Sequence, residues 1–276
     1  AIPPPPMADT TEFWRDPALP QVESRRACHS RACYRAHSHP SFSIGAVDAG
    51  RSLFTGAPGG PVELCAGTLV FVPPGRVHAC NPANTAWSYQ MLHVDAHWWQ
   101  AVRQEAALQD LAPLGEEPVR LRSSAASYGR FCRLNALLFS DAGRHAKEAA
   151  LVEFIGDYVS EQDDRLLEPA AATRERQRLQ PVFKALQEEA VDALSLGELA
   201  VLAGMSRYQL IRRFRAASGL TPHAWQLNGR INQARDRLRA GEALADIAHR
   251  LGFADQSHFQ RMFKAHTGVT PGRYRG

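Results

Sequence analysis

The chain has 276 residues, 45% of them hydrophobic and 22% charged, with a formal net charge of +4. That length has room for about two domains, and the apolar fraction is that of a globular protein. No apolar run reaches the roughly 18 residues of a membrane-crossing helix, and no basic start precedes an apolar stretch as in a signal peptide. The charge is unevenly spread. From Arg174 onward 17 Lys and Arg stand against 9 Asp and Glu, a balance of +8, and the rest carries 15 against 19, a balance of −4. A basic terminal segment beside an acidic one points to nucleic acid.

In chain order, residues 1–20 are expected to form an unpacked leader, extended along Pro3–Pro6, with Met7 a candidate native start. From Val22 to His97 the chain reads as short β-strands. Phe42-Ser43-Ile44-Gly45-Ala46-Val47 alternates, Gly56 to Pro61 is a loop, and Thr68 to Val72 is an apolar strand stopped by Pro73-Pro74-Gly75. Trp87 to Val94 makes another strand. Many short strands with Gly/Pro turns suggest a closed or sandwiched β-fold. The five cysteines, Cys28, Cys33, Cys65, Cys80 and Cys132, include no CxxC pair and read as buried, inert thiols of a reducing cytoplasm.

Two motifs sharpen the β-region. His37-Ser38-His39 puts two imidazoles on the same side of a strand. Gly67, Pro73-Pro74-Gly75, His78 and Asn81 then follow at fixed spacing. Together they resemble the cupin barrel. Metal-binding cupins use such a histidine set with a carboxylate four residues after the second histidine. Ser43 stands at that position here, which counts against an iron enzyme. His37, His39 and His78 still offer the three nitrogens that zinc accepts, with Cys80 and His93 as further candidates. The other reading is that they line a pocket for an organic effector. Arg35, His37, His39, Phe42, His78 and Tyr89 are its candidate residues, with walls from Phe54, Trp87 and Met91.

From Ser123 to Val159 the apolar period becomes helical. Tyr128, Phe131, Leu134 and Leu138 make one stripe, and Leu151, Phe154, Ile155 and Tyr158 another, broken at Asp141-Ala142-Gly143. Two antiparallel helices fit, either covering the barrel or pairing two subunits. The sensor thus spans 21–160, a charged, alanine-rich linker 161–178, and the basic domain 179–276.

The basic domain contains one pattern twice. Ala200 and Gly204 recur as Ala248 and Gly252, and Arg212, Phe214, Gly219 and Thr221-Pro222 recur as Arg261, Phe263, Gly268 and Thr270-Pro271. In the first copy Ser195 and Glu198 have capping-box spacing, Leu196, Leu199, Ala200 and Ala203 share a helical face, and Gly204 makes the turn. Ser206 then caps a second helix with Leu210, Phe214 and Ala217 inward. The second copy has Leu244, Ile247, Ala248 and Leu251 as its stripe, Gly252 as its turn, and a second helix starting at Ala254 or Asp255 with Phe259, Met262 and Phe263 inward. Pro222 to Arg239 is a joining helix with Trp225, Ile231, Ala234 and Leu238 buried, stopped by Gly241. A short helix, a glycine turn and a helix with exposed basic and polar groups form a helix-turn-helix. The exposed candidates for DNA contact are Ser206, Arg207, Tyr208, Ile211, Arg212 and Arg215, then Asp255, Gln256, Ser257, His258, Gln260 and Arg261.

The second copy, Ala245-Asp246-Ile247-Ala248, Leu251-Gly252-Phe253, Ser257-His258-Phe259, Arg261-Met262-Phe263-Lys264 and Gly268-Val269-Thr270-Pro271 with Tyr274-Arg275, resembles the AraC-type transcription regulators. The resemblance runs from Gln180 to Gly276, and the β-region resembles their sensor half. It implies a seven-helix domain that sets two recognition helices in adjacent major grooves. It also implies base readers at Tyr208, Ile211, Arg212, Gln256, Ser257, Gln260 and Arg261.

The expectation is therefore an α+β chain of two domains, a cupin-like β-barrel with covering or dimerisation helices followed by an all-α DNA-binding domain. It is a bacterial, cytoplasmic, non-enzymatic regulator of double-stranded DNA and a homodimer with no membrane partner, and RNA polymerase is a partner if it activates. A small molecule or a metal such as zinc in the barrel controls it, with no cofactor required. Two rivals stand beside this reading: a metal-dependent cupin enzyme with a DNA-binding tail, and a constitutive DNA-binding dimer whose barrel is structural.

Overall fold

The computed structural model describes residues 10–57, 59–107, 111, 113–161, 164–167, 173–187 and 194–275. The Pro3–Pro6 run and Met7 lie outside them. The chain divides into two units. One comprises Ala1–Ala32, His39–Gly75 and Cys80–Glu168, and the other Cys33–Ser38, Arg76–Ala79 and Pro169–Gly276.

The first unit is built on strands β1 (Thr10–Arg15), β2 (Val22–Ser30), β3 (Phe42–Ala49), β4 (Arg51–Thr55), β5 (Val62–Cys65), β6 (Leu69–Val72), β7 (Ala79–Pro82), β8 (Trp87–Val94), β9 (Val119–Arg122) and β10 (Arg165–Leu167). Seven form one sheet in the order β1-β2-β8-β3-β6-β9-β10, and three form another in the order β5-β4-β7. Alternation sorts the large sheet's side chains onto two faces. One face carries Phe42, Ile44, Ala46, Leu69, Phe71, Leu92 and Val94. It is covered by α1 (Ala96–Ala106), α2 (Ala125–Leu138) and α3 (Arg144–Ser160) through Trp99, Phe131, Leu134, Leu138, Leu151, Phe154, Ile155 and Tyr158. The other carries Ala27, Val47, Val70, Val72, Trp87, Tyr89, Val119 and Leu121, packed with Phe54 and Leu64 of the small sheet. This interior is tight at its middle layer. A Cβ on Gly45 would fall 2.9 Å from Val70 Cγ1 and 3.0 Å from Met91 Sδ, so the alternating strand breaks to glycine there.

The helical unit holds α4 (Thr173–Arg178), α5 (Gln180–Gln187), α6 (Leu196–Leu202), α7 (Arg207–Ser218), α8 (Pro222–Arg239), α9 (Leu244–Arg250), α10 (Gln256–Thr267) and α11 (Pro271–Arg275). Seven described helices thus span the region from α5 onward. The two copies fold as α6-turn-α7 and α9-turn-α10, with Gly204 at φ +62° and Gly252 at φ +69° in the turns. Leu210, Phe214 and Ala217 pack with Leu199, Ala200, Val182 and Phe183. Phe253, Phe259, Phe263 and Tyr274 make a chain of ring contacts in the second module.

Four expectations are corrected. Thr10–Arg15 is not leader but β1, paired in register with β2 from Thr10↔Cys28 to Arg15↔Glu23; its own Thr, Phe and Trp content favours a strand despite the prolines upstream. The stretch read as linker contains β10, which pairs with β9, and α4. The strand region expected to run to His97 ends at Val94, and helix α1 follows from Ala96, capped by Asp95, whose side chain accepts from the Trp98 N–H. Cys28, Cys33 and Cys65 are exposed rather than buried, since they sit at strand ends or on outward positions.

Candidate nucleic-acid interface and effector site

Both reading helices start from a side-chain cap. Ser206 caps α7 in a full capping box with Gln209, and Asp255 accepts the His258 N–H at 2.6 Å to start α10. Arg207, Tyr208, Arg212 and Arg215 are exposed along α7, and Ile211 is half-buried. Tyr208 is 68% exposed and accepts a hydrogen bond from Arg212 Nη1 at 3.2 Å, with the guanidinium 5.7 Å from the ring centroid. Such a pair presents a preset donor fork. On α10, Gln256, Ser257 and Arg261 are exposed and Gln260 is half-buried. His258 turns aside, its ring edge-on to Phe253 at 5.7 Å, which takes it from the outward set. Arg230 of α8 donates to the Gly252 carbonyl at 3.3 Å and ties the joining helix to the second turn.

The helical unit also incorporates the two short segments that carry His37 and His78. Their backbones exchange hydrogen bonds of 3.0 and 2.8 Å, and the rings lie 5.0 Å apart. His37 Nδ1 meets the Arg35 carbonyl at 2.6 Å and His78 Nδ1 meets the Arg76 carbonyl at 2.9 Å. A carbonyl only accepts, so each proton sits on Nδ1 and each lone pair on Nε2. Burial first, then the neighbouring His78 and Arg235, pushes His37 well below the ordinary imidazole value. Burial first, then Arg235, also lowers His78. Both are neutral at physiological pH. His37 and His78 are both buried, and His39 belongs to the sheet-rich unit. Sequence reasoning missed what surrounds this pair: Ser38 bonded to Asn228 and Asn232 of α8, and buried His266 on α10. No local pattern pairs residues some 190 positions apart.

The sheet-rich unit has a separate polar-marked interior. Trp87 and Tyr89 stack at 4.2 Å, with the Arg25 guanidinium 5.3 Å from the Tyr89 centroid. The Trp87 indole N–H is buried and finds no hydrogen-bond partner among the described residues. The His39 and His93 rings lie tilted to each other at 4.7 Å, and His93 Nδ1 is 2.9 Å from Ser43 Oγ, so Ser43 holds a histidine. Tyr89 faces this interior. Phe42 does not. It stacks on Trp99 at 4.0 Å under the helices, because it lies one residue out of phase with Ser43 and Val47. Arg35 is exposed, and its backbone N–H reaches the Ala265 carbonyl at 3.2 Å. Burial raises the Cys80 thiol to about 12, so it is no ready thiolate ligand.

A β-rich unit with an apolar, polar-marked interior, joined in one chain to a pair of capped helix-turn-helix modules, defines a ligand-responsive DNA-binding protein. Residues 19–153 match the AraC-like ligand binding domain, and residues 199–276 match a helix-turn-helix domain family. The chain is 24% identical over 251 residues to the HTH-type transcriptional regulator YbfI of Bacillus subtilis, covering 91% of this chain and 90% of that one. It is 25% identical to the HTH-type transcriptional activator RhaS of Pectobacterium carotovorum over 74% of each. In fold it is similar to ToxT of Vibrio cholerae solved with an unsaturated fatty acid, with a TM-score of 0.58 at 12% identity over 98% of this chain and 95% of that one. This chain is an AraC-family transcription regulator with a ligand-binding domain.

Proposed function

We propose that the chain reads an operator of two half-sites about one helical turn apart, and that a small, largely apolar molecule bearing a hydrogen-bond acceptor controls that reading from the sheet-rich interior. The observation that carries the effector class is the unpartnered, buried Trp87 N–H beside the stacked Tyr89 and Arg25. A buried donor without a partner costs about 1–3 kcal/mol, which a ligand acceptor recovers. That the ToxT fold was solved with an unsaturated fatty acid supports the class. Binding shifts the population of the DNA-competent state by its differential affinity for the two states. The test uses duplexes selected from a random pool by the full chain. Apolar carboxylates and other acceptor-bearing ligands are screened by tryptophan fluorescence, and the binders are added to a DNA titration. A binder that Trp87→Phe abolishes and that shifts operator affinity supports the reading. Binders that leave affinity and footprint unchanged would sink it.

A second reading keeps the ion that the sequence pattern offers, a divalent metal such as zinc at His37, His39 and His78. Neutral rings with Nδ1 held by carbonyls fit such an ion. Ser43, engaged with His93, adds no charge to balance it, and Arg235 works against it. Elemental analysis of protein prepared without chelator decides: about one equivalent, lost in His37→Ala with His78→Ala, supports metal. No metal after zinc incubation leaves the organic effector. We assign no enzymatic activity, a cytoplasmic site of action, and a homodimeric state checked by sedimentation; RNA polymerase is a partner where the regulator activates. No described helix is long and apolar enough to cross a membrane.

A further inference from the structure

Within the helical unit, the segments Cys33–Ser38 and Arg76–Ala79 form a two-stranded clip, joined by the reciprocal His37 and His78 backbone bonds. The clip touches both reading helices at the same place. Gly219 and Gly268 are the left-handed C-caps of α7 and α10, at φ +81° and +78°. A Cβ on Gly219 would fall 3.1 Å from Val77 Cγ1, and one on Gly268 would fall 2.6 Å from the Tyr34 ring. One strand of the clip therefore lies on the end of the first reading helix, and the other on the end of the second. The Arg35 N–H adds a bond to the Ala265 carbonyl of α10 at 3.2 Å.

The clip is also bonded to the joining helix. The Ser38 N–H donates to Asn228 Oδ1 at 3.1 Å. Asn228 Nδ2 donates to Ser38 Oγ at 2.9 Å and to the Ser38 carbonyl at 3.3 Å, and Asn232 Nδ2 donates to that carbonyl at 2.9 Å. Ser38 and Asn228 are both buried, so these groups would be costly to leave unmet. A buried amide that meets both backbone groups of one residue fixes position more than it adds energy. One clip thus engages α7, α8 and α10, the three elements whose arrangement decides whether both heads fit DNA together. α7 and α10 each pack on α8. A single 18-residue helix linking them leaves the end of each reading helix to be fixed by something else, and Val77 and Tyr34 stand there.

We infer that the paired segments Cys33–Ser38 and Arg76–Ala79 set the spacing between the two reading helices, with Tyr34, Ser38 and Val77 as positioning residues for DNA recognition. They touch no base. They decide which half-site separation both heads can occupy at once. The inference rests on the two-headed reading of DNA but has its own readout.

The experiment uses the full chain on duplexes it has selected, on the same duplexes with one to three base pairs inserted between half-sites, and on single half-sites. The variants are Tyr34→Ala, Val77→Ala, and Asn228→Ala with Asn232→Ala. The wild type is expected to lose about tenfold or more in affinity on the inserted duplexes, since a rigid pair cannot follow the displaced groove. The variants are expected to lose most of that discrimination while holding single half-sites as the wild type does. Unchanged discrimination in the variants overturns the inference. An equal loss on half-sites and full operators also overturns it, because that marks the residues as structural only. Loss of two-headed binding altogether in the wild type, with half-sites bound normally, would instead strike the reading beneath it. Val77→Ala removes only apolar atoms, so it keeps the test open if the double asparagine variant fails to fold.

Discussion

At the scale of single residues, two side chains carry claims that chemistry can separate. Arg212 is exposed, and its guanidinium is braced by Tyr208, a geometry suited to a guanine edge. Replacing it with Ala is expected to remove about 1–3 kcal/mol of discrimination at one base position, measured by affinities for the selected duplex and its single-base variants. A uniform loss across all duplexes would mark a phosphate contact instead. His266 tests burial. Desolvation first, then the Arg35 and Arg235 cations, lowers its ionisation below the ordinary 6.5, against the raising effect of its bond to the Met262 carbonyl. A folded chain that refuses a proton the unfolded chain accepts loses stability as pH falls. The contribution is whole above about 6.5 and drains away on acidification toward the folded value, by up to about 1.4 kcal/mol per pH unit for one proton. Urea midpoints at pH 7.5 and 5.5 should therefore fall in the wild type and fall less in His266→Gln. The flattening is partial, because buried His37 and His78 titrate in the same direction. Equal falls in both proteins would mean that His266 is not held neutral.

At the scale of elements, the helices announce themselves because their signals are local. Ser195 with Glu198, Ser206, and Pro222 after Thr221 mark three starts that the structure keeps. Ser206→Ala should cost about 1 kcal/mol, since it strips the cap from the first reading helix and leaves a first-turn N–H unmet. A lowered thermal midpoint with the half-site preference intact is the expected result, and an unchanged midpoint would show that water serves the N–H equally well. The strand Trp87–Val94 and the helices broken at Gly143 were legible for the same reason: period and punctuation lie within a dozen residues. The face on which Phe42 lies was not. Alternation says that Phe42 and Ser43 oppose each other but not which one meets the helices, and that is decided by Trp99 and Tyr158, far along the chain. β1 and β10 escaped notice because a short edge strand takes its identity from its neighbour, β2 or β9. The clip was illegible altogether. Ser38 is an ordinary serine between two histidines until α8 supplies Asn228.

At the scale of the whole molecule, the charge is divided as the work is. The part from Arg174 onward carries +8 and the part before it −4. The first figure is what phosphate contact requires. The second keeps the sensor from adding unspecific attraction, so that salt dependence should report the reading heads alone. Each neutralised phosphate contributes about −0.9 to the slope of log affinity against log salt. Two heads engaged at once should give a slope on a full operator about twice that on a half-site. Arg215 refines the prediction. It is exposed near the C-terminal end of α7, away from the end of a reading helix that meets bases. Arg215→Ala is therefore expected to lower affinity on every duplex alike and to reduce the slope by about one, with single-base preferences unmoved. Arg212→Ala should do the reverse, narrowing the preferences more than the slope. If Arg215→Ala instead relaxed preference at one base pair, α7 would lie in the groove by its C-terminal half. The capped N-terminal turn at Ser206 would then face away from the DNA, and the assignment of Tyr208 and Arg212 as readers would fall with it.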